Sequence, residues 1–137
     1  ANKVAYKDFA HSPSKVSATT KAVKAQYPDR KLIACLELHT YSSLNAEFLK
    51  EYQGALDAAD VAVVFYSPDA VKIKRLEEVT YDQIAQSFQR EDLIIYTNPT
   101  EFKDFLFSQN LENSALLLMS SGNYGGLNFD EVKELIN

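Results

Sequence analysis

Four apolar runs in this chain are continuous rather than alternating. They are Leu32-Ile33-Ala34-Cys35-Leu36, Val61-Ala62-Val63-Val64-Phe65, Leu93-Ile94-Ile95-Tyr96 and Ala115-Leu116-Leu117-Leu118-Met119. A strand with one wet face alternates apolar and polar residues, because successive side chains point to opposite sides. A run with no polar position needs cover on both faces. That is the situation of a parallel sheet held between helices. A fifth and weaker run, Val4-Ala5-Tyr6, is assigned as a strand from its neighbours.

Helix start signals fill the intervals. Ser12-Pro13 opens the first helix, with Ser12 placed to cap and Pro13 suited to the first helical position; Val16, Thr20, Val23 and Tyr27 share one face. A second helix is expected from Asn45, with Leu44 and Leu49 as a staple and Phe48, Tyr52, Ala55 and Leu56 inward. A third starts at Thr80, with Gln83 completing a capping box, Val79 and Ile84 as a staple, and Ile84, Ala85 and Phe88 inward. Asn98-Pro99 opens a fourth, with Phe102, Phe105 and Leu106 inward, and Asn128 opens the last, with Phe129, Val132, Leu135 and Ile136. Strand and helix alternate five times. The expected fold is therefore α/β: a three-layer, Rossmann-like domain whose mainly parallel sheet of five or six strands is flanked by helices. Residues 67–78 stay open between loop and a short edge strand at Val71-Lys72-Ile73-Lys74.

The 137 residues suit one domain, 1–137, with no internal repeat. Lys plus Arg is 14 and Asp plus Glu is 19, a net charge of −5, which argues against nucleic acid or an anionic membrane as partner. No apolar run approaches the roughly 20 residues needed to cross a bilayer. No signal peptide is recognised, since Lys7 and Asp8 interrupt the first apolar stretch; a cytoplasmic protein is expected. The single cysteine, Cys35, forms no internal disulfide and reads as packing. The first residue is Ala1 rather than Met, so the chain is expected to be part of a longer protein.

In sheets of this kind ligands bind outside the carboxyl ends of the strands. Three polar segments fall there: Asp8-Phe9-Ala10-His11-Ser12-Pro13, Glu37-Leu38-His39-Thr40-Tyr41-Ser42-Ser43, and Ser120-Ser121-Gly122-Asn123-Tyr124-Gly125-Gly126. Both histidines and the one Gly-rich stretch lie in them, and two of the three lead into a helix start, which favours an anion. Each feature also has a plainer reading. Asp8 and His11 can serve a turn, His39 can be a surface loop residue, and Gly122, Gly125 and Gly126 can serve close packing. The Gly-rich stretch lacks the Gly-Lys-Ser/Thr ending of a phosphate-binding P-loop and does not follow Gly-x-Gly-x-x-Gly. The third strand ends Phe65-Tyr66-Ser67, without the aspartate of a phosphoacceptor domain, and no Gly-x-Ser-x-Gly elbow occurs. Two histidines without a third spaced ligand give no metal site. A non-catalytic α/β module that takes an anion at the strand ends therefore remains an alternative.

Asp8-Phe9-Ala10-His11-Ser12-Pro13 before a helix resembles the motif that opens the C-terminal domain of Mur ligases, the enzymes that build the peptide of bacterial peptidoglycan. The resemblance extends along the chain. Tyr27-Pro28-Asp29-Arg30 is similar to the family's entry into the second strand, Ala59-Asp60-Val61 to its entry into the third, and Leu36 to Ser42 to the intervening loop. Leu118 to Gly126 resembles the Met-Ser-Asn-Gly-Gly-Phe-Gly-Gly segment of the branch that recycles cell-wall tripeptide. His39 and Tyr41 resemble the alanine-adding branch, although Thr40 and Ser43 stand where that branch carries arginines. The recycling branch is the expectation, and the alanine-adding branch its alternative.

The resemblance implies a three-domain, ATP-dependent ligase whose first domain holds the UDP-sugar and whose central domain holds ATP and Mg2+. Neither of those domains is contained in these 137 residues, so the chain alone is expected to be inactive. In the family the carboxylate of UDP-N-acetylmuramate becomes an acyl phosphate, which the incoming amine attacks while the C-terminal domain closes over the site. Carried over by position, Asp8 and His11 would be the catalytic and nucleotide-facing residues. His39, Thr40, Tyr41, Ser42 and Ser43 would line the pocket of the incoming peptide. Ser120, Ser121, Gly122, Asn123, Tyr124, Gly125 and Gly126 would present backbone N–H groups and small side chains to its carboxylates. The expected partners are UDP-N-acetylmuramate, a peptide or amino acid, and the other domains of the same protein.

Overall fold

A computed structural model describes residues 3–10, 12–38, 49–66, 81–120, 122 and 124–135. Its strands are β1 (Lys3–Asp8), β2 (Lys31–Glu37), β3 (Val61–Phe65), β4 (Ile94–Tyr96) and β5 (Ser114–Met119). They form one sheet in the order β1-β5-β2-β3-β4, with every pairing parallel. The helices among the described residues are α1 (Pro13–Gln26), α2 (Tyr81–Phe88), α3 (Pro99–Ser108) and α4 (Phe129–Glu134).

The continuous apolar runs are explained by two cores, one on each face of the sheet. Leu32, Ala34 and Leu36 of β2, Ala62 and Val64 of β3, and Leu117 and Met119 of β5 pack beneath Val16 and Val23 of α1 and Ile84 and Phe88 of α2. The intervening residues Ile33, Cys35, Val63, Phe65, Leu116 and Leu118 pack beneath Phe102 and Leu106 of α3 and Val132 of α4. This is the expected three-layer α/β arrangement. The candidate edge strand at 71–74 and the helix start at Val79-Thr80 lie outside the described residues.

Asn98 caps α3 by accepting from the N–H groups of Thr100 (2.8 Å) and Glu101 (3.1 Å), and Asn128 caps α4 by accepting from Asp130 (2.9 Å). Ser12 occupies the N-cap position of α1, but its side chain makes no capping bond; its carbonyl accepts from Val16 at 2.9 Å. The expected second helix does not run through Leu56. A 3-10 turn at Lys50–Tyr52 ends at Gln53, and Gly54 follows at φ +76°, a left-handed conformation that a continuing helix does not contain. Its stripe is nonetheless apolar for the expected reason, since Tyr52, Ala55 and Leu56 are all buried.

At the amino edge of the sheet, Asp60 joins three elements. Its Oδ2 accepts from the Leu32 N–H and from Lys24 Nζ, each at 2.8 Å, while Arg90 holds the carbonyls of Leu56 (2.6 Å) and Asp60 (3.1 Å). Burial opposes ionisation of Asp60, but the Leu32 bond and the Lys24 and Arg90 charges outweigh it, and the carboxyl sits below the usual aspartate range. A folded-state pKa below the unfolded one contributes stability above the unfolded value, and this is lost as pH falls through the folded value. Asp60→Asn is therefore expected to lower stability at pH 7 and to flatten its decline in acid. Urea titrations at several pH values read both effects, and an unchanged acid limb would exclude this contribution.

Topology sets where a ligand can sit. After β1 and β2 the chain packs on the first face, through α1 and through Leu38, Leu49 and Tyr52. After β5, which lies between them, it packs on the other face, through Tyr124, Leu127 and α4. Neighbouring strands whose continuations part to opposite faces open a crevice at their carboxyl ends.

Candidate functional site

Register brings the strand ends together. Asp8 lies opposite Met119, Met119 opposite Leu36, and Glu37 opposite Phe65. Hydrogen bonding continues one step past the strands: Ser120 N–H donates to the Asp8 carbonyl (3.0 Å), and Leu38 N–H to the Phe65 carbonyl (2.9 Å). The polar segments after β1, β2 and β5 thus leave the sheet from adjacent points on one rim.

Asp8 is exposed there. Its Oδ1 accepts from the Ala10 N–H at 2.7 Å, closing a local turn. Phe9, at the tip of that turn, is 73% exposed. Asp8, Phe9 and Ala10 border a shallow cleft of about 280 Å³ with Lys15 and Thr19. A wider open cleft of about 510 Å³ runs between the first turn of α1 and the 3-10 segment, lined by Ser12, Ser14, Ser17, Glu51 and Gln53. The first turn of α1 carries no acidic residue, which leaves its positive dipole end without a carboxylate of its own.

The segment after β5 is built differently. Ser120 and Glu37 are both 3% exposed. The Ser120 hydroxyl donates to Glu37 Oε1 (2.5 Å) and accepts from the Gly122 N–H (2.7 Å), and the Tyr124 N–H donates to the same Glu37 oxygen (3.0 Å). Tyr124, Gly125 and Gly126 then follow at φ +56°, +73° and +109°. This left-handed stretch turns the Tyr124 ring into the second core, where it stacks on Phe102 with centroids 4.8 Å apart. The Tyr124 hydroxyl is directed at the carbonyls of Met119 (2.7 Å) and Cys35 (3.0 Å), and burial above all holds its pKa well above the ordinary tyrosine value. Gly125 passes so close to α3 that a Cβ there would stand 2.7 Å from Pro99 Cγ.

Of the residues singled out from the sequence, Asp8, Gly125 and Gly126 are exposed at the rim, Gly122 is half-buried, and Ser120 and Tyr124 are buried. The Tyr124 side chain therefore belongs to the core and does not line an open pocket. The N–H groups of Gly122 and Tyr124, expected to meet a ligand's carboxylates, are already taken, by the Ser120 hydroxyl and by Glu37 of β2. His11, His39, Thr40, Tyr41, Ser42, Ser43, Ser121 and Asn123 lie outside the described residues. Sequence reading passed over Glu37. Its signal was a lone carboxylate closing an otherwise apolar strand.

None of the four glycines (54, 122, 125 and 126) precedes a lysine, so no P-loop exists in the chain. Among the described residues no three His, Cys, Asp or Glu side chains cluster at metal-binding distance. Among the same residues no helix is long and apolar enough to cross a membrane.

No family model matches the chain. It is 29% identical over 119 residues to the UDP-N-acetylmuramate–L-alanine ligase of Sulfurihydrogenibium sp., a match covering 84% of this chain and 25% of that protein. A murein peptide ligase from Psychrobacter arcticus shares the fold over 99% of this chain and 28% of its own, with a TM-score of 0.74 and 17% identity. The UDP-N-acetylmuramate-alanine ligase of Thermotoga maritima matches 96% of this chain and 26% of its own, with a TM-score of 0.61 and 15% identity. The relatives and structural neighbours are Mur ligases, and the fold is the one their C-terminal domains share. The chain spans about a quarter or less of the length of the curated relatives it matches.

Proposed function

We propose that this chain is the C-terminal, amine-binding domain of a Mur-type ATP-dependent ligase, and that the whole protein joins a cell-wall tripeptide, L-Ala-γ-D-Glu-meso-diaminopimelate, to UDP-N-acetylmuramate during peptidoglycan recycling. The observation that carries this reading is the juxtaposition of Asp8, which ends β1, with Met119, which ends the neighbouring β5. It brings the two segments with the most specific resemblance, 8–13 and 118–126, to one rim.

In this reading the protein's other domains hold ATP, Mg2+ and the UDP-sugar, since this chain has no P-loop. ATP supplies the activation of the muramyl carboxylate. The work of this chain is to bind and orient the amine and to close the site against water, because an activated acyl group hydrolyses where water has access. Asp8 Oδ2 accepts a hydrogen bond from the nucleotide, and His11 is a polar contact beside the reacting centre. The segment 39–43 lines the peptide's pocket. From the last segment, the exposed main chain at Gly125 and Gly126 is what meets the incoming carboxylates. The reading places the protein in the cytoplasm.

A second reading, L-alanine as the incoming amine, is favoured by the sequence relatives, which are UDP-N-acetylmuramate–L-alanine ligases. Phosphate release by the full-length protein, with ATP, Mg2+, UDP-N-acetylmuramate and either amine, separates the two. The tripeptide is expected to give a kcat/KM at least about tenfold above that of L-alanine, a difference of about 1.4 kcal/mol in transition-state binding. The reverse preference would establish the second reading. Turnover with neither amine would leave the non-catalytic anion-binding module.

A further inference from the structure

We propose that Glu37 is the positioning residue of this site: its buried carboxylate fixes the main chain of the β5–α4 segment and so sets the affinity for the incoming amine. The inference rests on the ligase reading above. A carboxylate removed from water is costly unless its oxygens are hydrogen-bonded. Every other residue of β2 from Leu32 to Leu36 is apolar and buried, so an apolar side chain at position 37 would serve the core equally well. What Glu37 adds is a set of bonds to the next segment. Its Oε1 receives the Ser120 hydroxyl and the Tyr124 N–H directly, and through Ser120 it governs the Gly122 N–H. One carboxylate thereby anchors three donors spread over residues 120–124. Those bonds hold Tyr124 at φ +56°, a conformation that costs a side-chain-bearing residue of order 1–3 kcal/mol and needs its surroundings to enforce it. The exposed turn at Gly125 and Gly126 is the direct continuation of this anchored stretch.

The test is steady-state kinetics of the full-length protein with each substrate varied in turn. Glu37→Leu removes both acceptors at similar volume. It is expected to raise KM for the amine about tenfold or more, the scale of losing a hydrogen bond to a charged group, with kcat and the KM for ATP within about threefold of wild type. Glu37→Gln keeps an acceptor oxygen and is expected to stay within about threefold of wild type for all substrates. Ser120→Ala should raise the amine KM in the same sense. The Glu37→Leu, Ser120→Ala double variant should be no worse than Glu37→Leu alone, because both act through one network. An unchanged amine KM in folded Glu37→Leu, an equal rise for ATP, or additive effects in the double variant would overturn the proposal. If Glu37→Leu does not fold, Ser120→Ala against Glu37→Gln decides it: a raised amine KM in the first alone supports positioning, and wild-type values in both overturn it. A wild-type protein inactive with either amine overturns the ligase reading and this one together. An active enzyme indifferent to these substitutions overturns only this one.

Discussion

Asp8→Ala in the full-length protein is expected to lower turnover about tenfold or more, the equivalent of one hydrogen bond to a charged group at about 1.5–3 kcal/mol. Asp8 does two things at the rim, and the prediction has to separate them. Its Oδ1 closes the turn that carries Phe9 and Ala10, while in the proposed site its Oδ2 meets the nucleotide. Asp8→Asn retains an oxygen for the Ala10 N–H and removes the charge. Recovery of turnover in Asp8→Asn would assign the loss to the turn. A loss equal to that of Asp8→Ala would assign it to a carboxylate contact with the nucleotide. His11→Ala is expected to match Asp8→Ala on the strength of its place in the same motif. Unchanged kcat and KM in either variant would remove that residue from the site.

Phe102→Ala is expected to cost about 3–5 kcal/mol of stability, the range for removing a buried aromatic ring. The ring is fully buried between Tyr124 at 4.8 Å, Phe65 at 5.5 Å and Tyr96 at 6.1 Å, so its loss leaves a cavity walled by three other rings that are held by their own contacts. A domain of this size has a net stability of about 5–15 kcal/mol, so the change should move the urea midpoint far toward zero. Phe102→Leu, which fills much of the space, should fall well short of that loss. A Phe102→Ala change below about 1 kcal/mol would mean that the core beneath the β5–α4 segment collapses freely, and that this segment has no rigid floor.

Much of this architecture is legible in the sequence because its signals are local. Unbroken apolar runs mark the strands, and Asn98 and Asn128 mark helix starts by a side chain two or three residues from its partner. What escaped is non-local. Nothing in the run from Ala115 to Met119 states that it inserts between β1 and β2, yet that insertion creates the crevice. Tyr124 was assigned to the pocket as part of the 120–126 stretch, carried over from the family resemblance. Its φ of +56° sends the ring inward, and Met119 and Cys35, distant or differently placed in sequence, receive the hydroxyl. The role of Glu37, named only as the head of a polar segment, was hidden for the same reason: its partners, Ser120 and Tyr124, come from the far end of the chain. Gly54 was the one local signal read too weakly, since it stands within the stripe taken for a continuous helix.

The position of β5 also governs how such a sheet can be assembled on the ribosome. β2, β3 and β4 can pair as they emerge, but among the described residues β1 has β5 as its sole sheet neighbour, and β2 keeps the edge that β5 will cover bare until residues 114–119 arrive. Until residues 114–119 are made, this domain therefore carries an open slot, a hydrogen-bonding edge with an apolar lining. Such edges invite pairing with other chains, and strand pairing between distant segments is slow. The domain's own first strand is thus the last to be secured. A domain cut off before Met119 is expected to be prone to aggregation rather than to form a smaller stable fold.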